Sequence, residues 1–403
     1  MTHRIVPADP FEIRVPDEEI ADLKRRLQRT RFPNEPMGNA QWAYGTSLPY
    51  MERLVEYWRD DFDWRAQEAA LNRFPQYRAT LTDDDGEDHE IQFIYERGSG
   101  PNAVPLILTH GWPSTFREFL DVIDPLAHPE KYGREGPAFD VVVPSLIGYG
   151  FSSKPRIPVG PAAIADLWHR LMTEILGYDK YAAQAGDWGS FVTSRLALQH
   201  ADSLLGIHLT MLPLRPSLKH SSQPPVSEEE GRWIKEMQAW WRQEEGYRSI
   251  QSTKPMALAF ALTDSPAGLA GWLADKYYRL GDTDKSDTME GVIARFPFDT
   301  ILTQFSIYWF TGTINSANTL YKAGPAEGSG ALRPGEKVTV PTAYSEYPID
   351  VLPVTPRSWA ERGYNIVRWR IMEKGGHFAA MEEPELFADD VRDAFREMGL
   401  RSG

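Results

Sequence analysis

The sequence of 403 residues contains no cysteine, and this absence excludes several classes of chemistry at once. Disulfide bonds, cysteine-ligated metal sites and thiol catalysis are all impossible in the chain. Basic residues are also in the minority, with 43 Lys and Arg against 57 Asp and Glu, and the formal net charge is −14. Because phosphate binding needs clustered cationic side chains, we expect no nucleic-acid partner.

Long apolar runs are missing as well. The first residues (MTHRIVPADPFEI) contain no apolar stretch of signal-peptide length, and no segment approaches the roughly 20 apolar residues of a membrane-spanning helix. We therefore expect a cytoplasmic protein without a membrane anchor. Aromatic residues, in contrast, are abundant: 13 Trp, 17 Tyr and 18 Phe are enough to line an apolar pocket as well as to fill a large core.

The hydrophobic pattern changes in character along the chain. Residues 1–77 contain two predicted amphipathic helices, at 17–30 and directly after Ser47, which precede the first predicted strands. Further on, short apolar strands alternate with helical segments, which indicates a mainly parallel sheet covered on both faces. The predicted strands are 89–96, 104–110, 139–146, 181–186, 204–212, 337–344 and 365–372, and the predicted helices among them include 116–126, 161–178 and 384–398.

Between the strands at 204–212 and 337–344 lies a long, aromatic-rich segment with a mostly helical pattern. A helical block inserted into a parallel sheet predicts a lid over the carboxyl ends of the strands, where ligands bind in α/β proteins. The sequence thus predicts four parts, which are an N-terminal segment (1–77), a first part of an α/β core (78–213), a helical lid (214–335) and a second part of the core (336–403).

The strand at 181–186 runs directly into residues 186–189 (GDWG) and then into a helical pattern. Small residues on both sides of Asp187 are typical of a nucleophile elbow, a sharp strand-to-helix turn that exposes one side chain. The familiar elbow carries serine, whereas a carboxylate can attack saturated carbon and form an alkyl ester. Two alternatives are that Asp187 merely caps the helix, or that Ser190, on the wrong side of the turn, is the nucleophile.

A second motif, His110-Gly111-Trp112-Pro113, stands at the end of the strand at 104–110. When an α/β protein carries a nucleophile elbow, the loop after this strand donates one oxyanion N–H, and the residue after the nucleophile donates the other. These donors are predicted to be the backbone amides of Trp112 and Trp188. His110 itself is interpreted as a structural residue that shapes the loop.

A general base is expected late in the chain, because elbow-bearing folds order their triad as nucleophile, acid and histidine. Of the nine histidines, only His377 lies beyond residue 220, in a Gly-Gly-His-Phe segment just past the last predicted strand. The acid is ambiguous. Residues 203–227 contain no Asp or Glu, and both Glu346 and Asp350 follow the strand at 337–344, so that spacing alone does not choose between them.

With Asp187, the motif at 110–113 and the segment GGHFAA at 375–380, the chain resembles the microsomal-type epoxide hydrolases over nearly its whole length. The segment LKRRLQRTRFP at 23–33 is similar to the N-terminal meander of that family. The resemblance implies an α/β-hydrolase core, with a mainly parallel sheet, an inserted helical lid domain and an N-terminal meander.

The resemblance also bears on the remaining site residues. It favours Asp350 as the acid, because the family places its acid at the end of a motif that here reads Tyr347-Pro348-Ile349-Asp350. It further implies that two lid tyrosines, Tyr247 and Tyr321, act as proton donors. The other lid tyrosines are interpreted as packing residues.

The activity implied by the resemblance is hydrolysis of an epoxide to a vicinal diol through an ester on Asp187, without a metal or organic cofactor. The family also suggests a homodimer. One alternative is a haloalkane dehalogenase, which shares the nucleophile and fold but binds halide through lid and elbow donors such as Trp188. Another is a binding protein without activity, which would need no triad. The physiological epoxide, and the choice between detoxification and biosynthesis, stay open.

Overall fold

The computed structural model describes residues 8–35, 41–214, 224–283 and 289–400. Within these residues the chain forms a nine-stranded sheet in the order β1-β2-β3-β5-β4-β6-β7-β8-β9. The strands are β1 (Asp9–Phe11), β2 (Gln76–Thr82), β3 (Asp88–Glu96), β4 (Val104–Thr109), β5 (Phe139–Pro144), β6 (Tyr181–Ala185), β7 (Leu204–Leu209), β8 (Val338–Glu346) and β9 (Tyr364–Ile371). The first three strands pair antiparallel along one side, and the other six are parallel to one another.

Helices flank the sheet and form the segment between β7 and β8. They are α1 (Asp17–Gln28), α2 (Leu48–Asp60), α3 (Trp64–Leu71), α4 (Ile123–Ala127), α5 (Pro161–Arg170), α6 (Asp187–Gln199), α7 (Glu228–Glu244), α8 (Gly246–Thr253), α9 (Pro255–Asp264), α10 (Pro266–Leu280), α11 (Met289–Arg295), α12 (Phe298–Thr311), α13 (Ile314–Glu327), α14 (Arg357–Gly363), α15 (Ala379–Glu382) and α16 (Pro384–Glu397). In the part of the chain that the structure describes, no helix is long and apolar enough to cross a membrane.

The apolar composition of the central strands explains why they lie in the middle of the sheet. Every residue of β5 (FDVVVP) and of β6 (YAAQA) is buried, and so are all but one of the residues of β4 (VPLILT). Such continuous burial requires cover on both faces, which helices supply in a parallel sheet. The carboxyl ends of β4, β6, β8 and β9 therefore lie along one edge of a rigid core, and the predicted site residues follow these ends.

All seven predicted strands are present, with ends shifted by three residues or fewer, and the mainly parallel sheet is confirmed. Two expectations are wrong. The N-terminal segment does not simply precede the sheet, because β1 pairs with β2 at its edge; β1 is three residues long and contains Pro10, too short for an alternating pattern. Residues 116–126 do not form one helix either. A tight 3-10 turn at Phe116–Phe119 is followed by α4, since Pro125 is tolerated only in the first turn of a helix.

The N-terminal segment supports the lid from one side. The Trp58 indole N–H, on α2, donates a hydrogen bond of 3.1 Å to the hydroxyl of Ser306 on α12. The ring of Trp42 stacks on Tyr278 of α10, with 4.3 Å between the ring centroids. Helices α10 and α12 are consequently held between the N-terminal segment and the sheet.

Candidate active site

The turn between β6 and α6 holds Asp187 in an unusual backbone conformation. Its φ angle is +43°, in the left-handed region that few residues other than glycine adopt. The helix begins at Asp187 with Gly186 as its N-cap, and the Asp187 side chain accepts a hydrogen bond from the Trp112 amide of another loop. A Cβ atom at Gly189 would collide with the carbonyl oxygen of Thr109, so the turn packs closely against the end of β4. These features are those of a nucleophile elbow.

The loop after β4 holds one oxygen of the Asp187 carboxylate. The backbone amide of Trp112 donates a hydrogen bond of 2.7 Å to Asp187 Oδ1. This approach is close because residue 111 is glycine, and a Cβ atom there would collide with the same carboxylate. The amide of Trp188, the second predicted oxyanion donor, belongs to the first turn of α6 directly after Asp187.

Replacing Gly111 tests how closely Asp187 must be placed. Gly111→Ala is expected to lower turnover by about 10²-fold, because the added methyl group displaces the carboxylate from the Trp112 amide. The free energy of unfolding should fall by only about 1–3 kcal/mol. Gly231→Ala is the matched control, since nothing lies within 4 Å of a Cβ at Gly231. Near-normal turnover in folded Gly111→Ala would show that this close approach is unnecessary.

His377, in the loop after β9, lies between two carboxylates. Its Nδ1 is 2.5 Å from Asp350 Oδ1, and its Nε2 is 3.3 Å from Asp187 Oδ2. The structure thus brings Asp350, rather than Glu346, to the histidine. Glu346 instead accepts a hydrogen bond of 3.0 Å from the indole of Trp369. Asp187, Asp350 and His377 follow one another along the chain in the order predicted for the nucleophile, acid and histidine of this type of fold.

The negative charges of two neighbouring carboxylates determine the protonation state of His377. Burial alone would lower the pKa of its imidazole, but the negative charges of Asp350 and Asp187, with their hydrogen bonds, raise that pKa well above its usual value. The imidazole is therefore held as a cation while both carboxylates are ionised. Any reaction that neutralises Asp187 removes one of these charges and so lowers the pKa of His377.

The two lid tyrosines face the elbow from α8 and α13. The ring centroids of Tyr247 and Tyr321 are 6.0 Å apart, with the rings nearly perpendicular. Trp112 stacks on Tyr247 at 5.2 Å, and Trp188 contacts Tyr321 edge-on at 4.9 Å. Burial raises the pKa of both phenols, so that both stay protonated at neutral pH. The same two tryptophans that were predicted as oxyanion donors thus also hold the tyrosine rings.

A cavity between sheet and lid opens onto Asp187 and both tyrosines. Its remaining lining is chiefly apolar and aromatic, and includes Trp188, Phe191, Met211, Leu214, Trp240, Trp241, Val351 and Leu352. Apolar walls with a few convergent polar groups are typical of a small-molecule site. The cavity suits an apolar substrate whose reactive group meets Asp187.

His110 and Ser190, which the sequence analysis also considered, are both buried and hydrogen-bonded to the backbone. His110 is buried, and its Nε2 accepts a hydrogen bond of 3.1 Å from the Leu146 amide. Burial lowers the pKa of His110 to about 4, which keeps it neutral while it shapes the loop. The Ser190 hydroxyl is fully buried inside α6 and donates to the Ala185 carbonyl at 3.2 Å. It is therefore not exposed as a nucleophile.

The loop that carries His377 is bonded to the lid. The His377 amide donates to the carbonyl of Leu280, at the end of α10, at 3.0 Å. The carboxylate of Glu382 accepts hydrogen bonds from the Asp282 amide at 2.7 Å and from the Phe378 amide at 3.0 Å. The position of the imidazole therefore depends on lid residues as well as on the sheet.

An arginine completes this arrangement. Arg295 Nη2 is 3.0 Å from Asp282 Oδ2, and its Nε is 3.4 Å from Glu382 Oε2. We call Asp282, Arg295 and Glu382 the base-loop clamp. The sequence did not predict it, because three charged residues on separate elements form no motif until the lid is folded. Only the glycines of the loop gave a signal, since a Cβ at Gly376 would lie 2.8 Å from the Asp282 amide nitrogen.

Known proteins resemble this chain over nearly its whole length. Residues 8–119 match the family profile described as "Epoxide hydrolase N terminus", and residues 104–248 match the profile described as "alpha/beta hydrolase fold". The chain is 34% identical to epoxide hydrolase 1 of Sus scrofa, across 95% of this chain and 87% of the relative. It is 39% identical to a provisionally assigned epoxide hydrolase of Stigmatella aurantiaca, across 96% and 85%. The solved structure of Aspergillus niger epoxide hydrolase superposes with a TM-score of 0.82 at 30% identity, covering 98% of this chain and 97% of that one.

Proposed function

The chain belongs to the epoxide hydrolase family and is an epoxide hydrolase, and from this premise we propose the residues that carry out its reaction. Asp187 is the nucleophile, His377 the general base and Asp350 its partner, while Tyr247 and Tyr321 donate protons. One observation carries the proposal. The Trp112 amide and His377 Nε2 engage different oxygens of the same carboxylate, Oδ1 and Oδ2 of Asp187. Substrates are an epoxide and water.

The first step forms an ester. Asp187 Oδ2 attacks one ring carbon of the epoxide, because the Trp112 amide holds Oδ1 at 2.7 Å whereas the contact of Oδ2 with His377 Nε2 is longer, at 3.3 Å. The bond between that carbon and the ring oxygen breaks, and its electron pair goes to the oxygen, which takes a proton from Tyr247 or Tyr321. The products are a hydroxyalkyl ester of Asp187 and a tyrosinate, so that no free alkoxide forms in the apolar cavity.

The second step hydrolyses the ester. Once Asp187 is esterified its negative charge is gone, and His377 gives up its excess proton more readily. That proton goes to the tyrosinate left by the first step and restores the phenol. The neutral imidazole then takes a proton from a water molecule, which attacks the Asp187 carboxyl carbon. Negative charge develops on Oδ1, where the Trp112 amide, and by our proposal the Trp188 amide, stabilise it. Collapse breaks the bond between the carboxyl carbon and Oδ2, and the diol leaves with a proton from His377. The second proton of the water is then on the Asp187 carboxyl group, which passes it to His377, so that the carboxylate and the imidazolium are both restored.

A pair of product assays tests this function against its two alternatives. A panel of apolar epoxides and chloroalkanes is incubated with the protein, and diol and chloride are both measured. We expect diol without chloride, because two protonated phenols suit an oxygen leaving group and halide needs no proton. Chloride release would indicate a dehalogenase, and neither product would indicate a binding protein.

Removal of the two phenol hydroxyls should affect ester formation selectively. We expect Tyr247→Phe or Tyr321→Phe to slow alkylation by about 10–10²-fold, and the double variant by about 10³-fold or more, since no acid then remains at the oxygen. Rapid-mixing Trp fluorescence can follow alkylation, because Trp112 and Trp188 contact both tyrosines. Tyr278→Phe is the matched control, a lid tyrosine stacked on Trp42 outside the cavity lining. Alkylation at the wild-type rate in the double variant would remove both tyrosines from the mechanism.

Domain boundaries, location and assembly belong to the proposal as well. We take residues 1–77 as the N-terminal meander, 214–335 as the lid, and 78–213 with 336–403 as the α/β-hydrolase core. A cytoplasmic location and a homodimer stay predictions from the sequence. Cell fractionation and analytical ultracentrifugation test them directly.

A further inference from the structure

A buried lysine lies over one of the two proposed proton donors. Lys276, on α10, is 6% exposed, and its Nζ is 4.5 Å from the centre of the Tyr247 ring. Lysine is seldom buried unless its charge is paired. Here the Asp275 carboxylate lies 2.6 Å from Nζ and forms an ion pair with it. The two reaction steps described above make no use of this cation.

Helix packing fixes the contact between Lys276 and Tyr247. One helical turn after Tyr247, the side-chain oxygen of Gln251 accepts a hydrogen bond of 3.0 Å from the indole of Trp272. Trp272 in turn lies one turn before Lys276 on α10. The two side-chain contacts join α8 to α10, and the ammonium lies over the Tyr247 ring beside this hydrogen bond.

We propose that Lys276 is an electrostatic positioning residue for Tyr247, stabilising the negative charge that the phenol oxygen gains on protonating the epoxide. The inference rests on the proposed role of Tyr247 as an acid. A cation over a neutral phenol is attracted only by the ring quadrupole, but over a tyrosinate it meets a full opposite charge. The ammonium therefore favours the transition state over the ground state, which is the requirement for catalysis.

Most of the groups around Tyr247 oppose ionisation of its phenol, which a nearby cation would favour. Burial raises the pKa of its phenol, and the negative charges of Asp187 and Glu244 act in the same direction. Arg248, the next residue on α8, and the hydroxyl of Tyr321 lower that pKa. Lys276 places a further positive charge 4.5 Å from the centre of the ring, opposed in part by the carboxylate of its ion-pair partner Asp275. No proton leaves Lys276 in this step, since the proton moves from the Tyr247 oxygen to the epoxide oxygen as the ring bond breaks.

A double-mutant cycle tests the inference. The alkylation rate is measured by rapid mixing in the wild type, in Lys276→Met, in Tyr247→Phe and in the protein with both changes. We expect Lys276→Met to slow alkylation by on the order of tenfold when Tyr247 is present. In the Tyr247→Phe background the same change should alter the rate by less than about twofold, because the phenol that Lys276 faces is gone and only Tyr321 donates. Ester hydrolysis should change little in either case, and Lys276→Arg should restore most of the alkylation rate.

Trp272→Phe is the matched control, because it removes the neighbouring contact between the same two helices without touching Tyr247. An equal loss in Lys276→Met and Trp272→Phe, or the same loss with and without Tyr247, would show that Lys276 only supports packing and would overturn the inference. If Lys276→Met does not fold, Lys276→Gln replaces it, since a neutral amide can still donate to Asp275.

If Tyr247→Phe alone has no effect on alkylation, the assignment of Tyr247 itself fails. If it slows alkylation and Lys276→Met does not, only the role of Lys276 fails.

Discussion

Asp187→Asn is expected to lower epoxide turnover by roughly 10⁴-fold or more, because a neutral carboxamide is a poor nucleophile. The fold should survive the change. Asparagine has nearly the same shape, and like aspartate it tolerates the left-handed backbone that the elbow imposes at φ +43°. An alanine at this position would confound the two effects, since the same backbone conformation would strain it. Turnover and the thermal unfolding midpoint together separate lost chemistry from lost structure.

Isotope labelling tests the same residue without any substitution. In a single turnover in heavy-oxygen water, the oxygen added to the diol comes from Asp187 Oδ2, so the diol should carry no label. The solvent oxygen stays in the Asp187 carboxylate, and the peptide that contains Asp187 should gain mass over repeated turnovers. Label in the first-turnover diol would mean that water attacks the epoxide directly, and the covalent mechanism would be abandoned.

His377→Gln is expected to trap the reaction halfway. Ester formation needs no base, so the variant should consume one equivalent of substrate and then stop, with steady-state turnover lower by about 10²–10⁴-fold. Intact-protein mass spectrometry should show the protein plus the mass of one epoxide. Unmodified protein that still turns over at a near-normal rate would exclude His377 as the base for ester hydrolysis.

Asp350 and Glu346, the two candidate acids, can be compared by the same measurement. Asp350→Asn should slow ester hydrolysis less than His377→Gln does, because the imidazole remains but loses the partner 2.5 Å from Nδ1. Glu346→Gln is the control, since Glu346 accepts from Trp369 and is four residues from Asp350 along the chain. If Glu346→Gln is the more damaging change, the assignment of Asp350 is wrong.

The sequence predicted the elements whose signals are local. Asp187 could be found because the elbow needs small residues on either side, and His377 because it is the only histidine late in the chain. Asp187 also follows a short strand (YAAQA) that is buried along its whole length. Asp350 and Glu346 could not be separated by spacing, because which carboxylate reaches the imidazole depends on the path of the loop after β8. Tyr247 and Tyr321 came from family resemblance alone.

Contacts between distant segments left no such signal. Lys276 and Tyr247 lie on different lid helices, and only the packing of α8 against α10 brings them together. The strand β1 was missed for a related reason, because three residues that include a proline are extended only by pairing with β2. Gly111 was recognised as part of a motif, but its purpose becomes apparent only when the Asp187 carboxylate is seen to occupy the space of its missing Cβ.

The base-loop clamp restricts how lids can be exchanged between related enzymes. Three hydrogen bonds join the loop and helix at 375–382 to lid residues 280–282, from the His377 amide, the Gly375 amide and the Asp282 amide. A chimaera that received a foreign lid without equivalents of Asp282 and Arg295 would keep every residue of the proposed triad, but we expect its imidazole to be misplaced. We expect such a hybrid to bind and open epoxides and then to accumulate as the alkylated protein. The lid of this enzyme therefore affects both the choice of substrate, through the cavity lining, and ester hydrolysis, through the loop that holds His377.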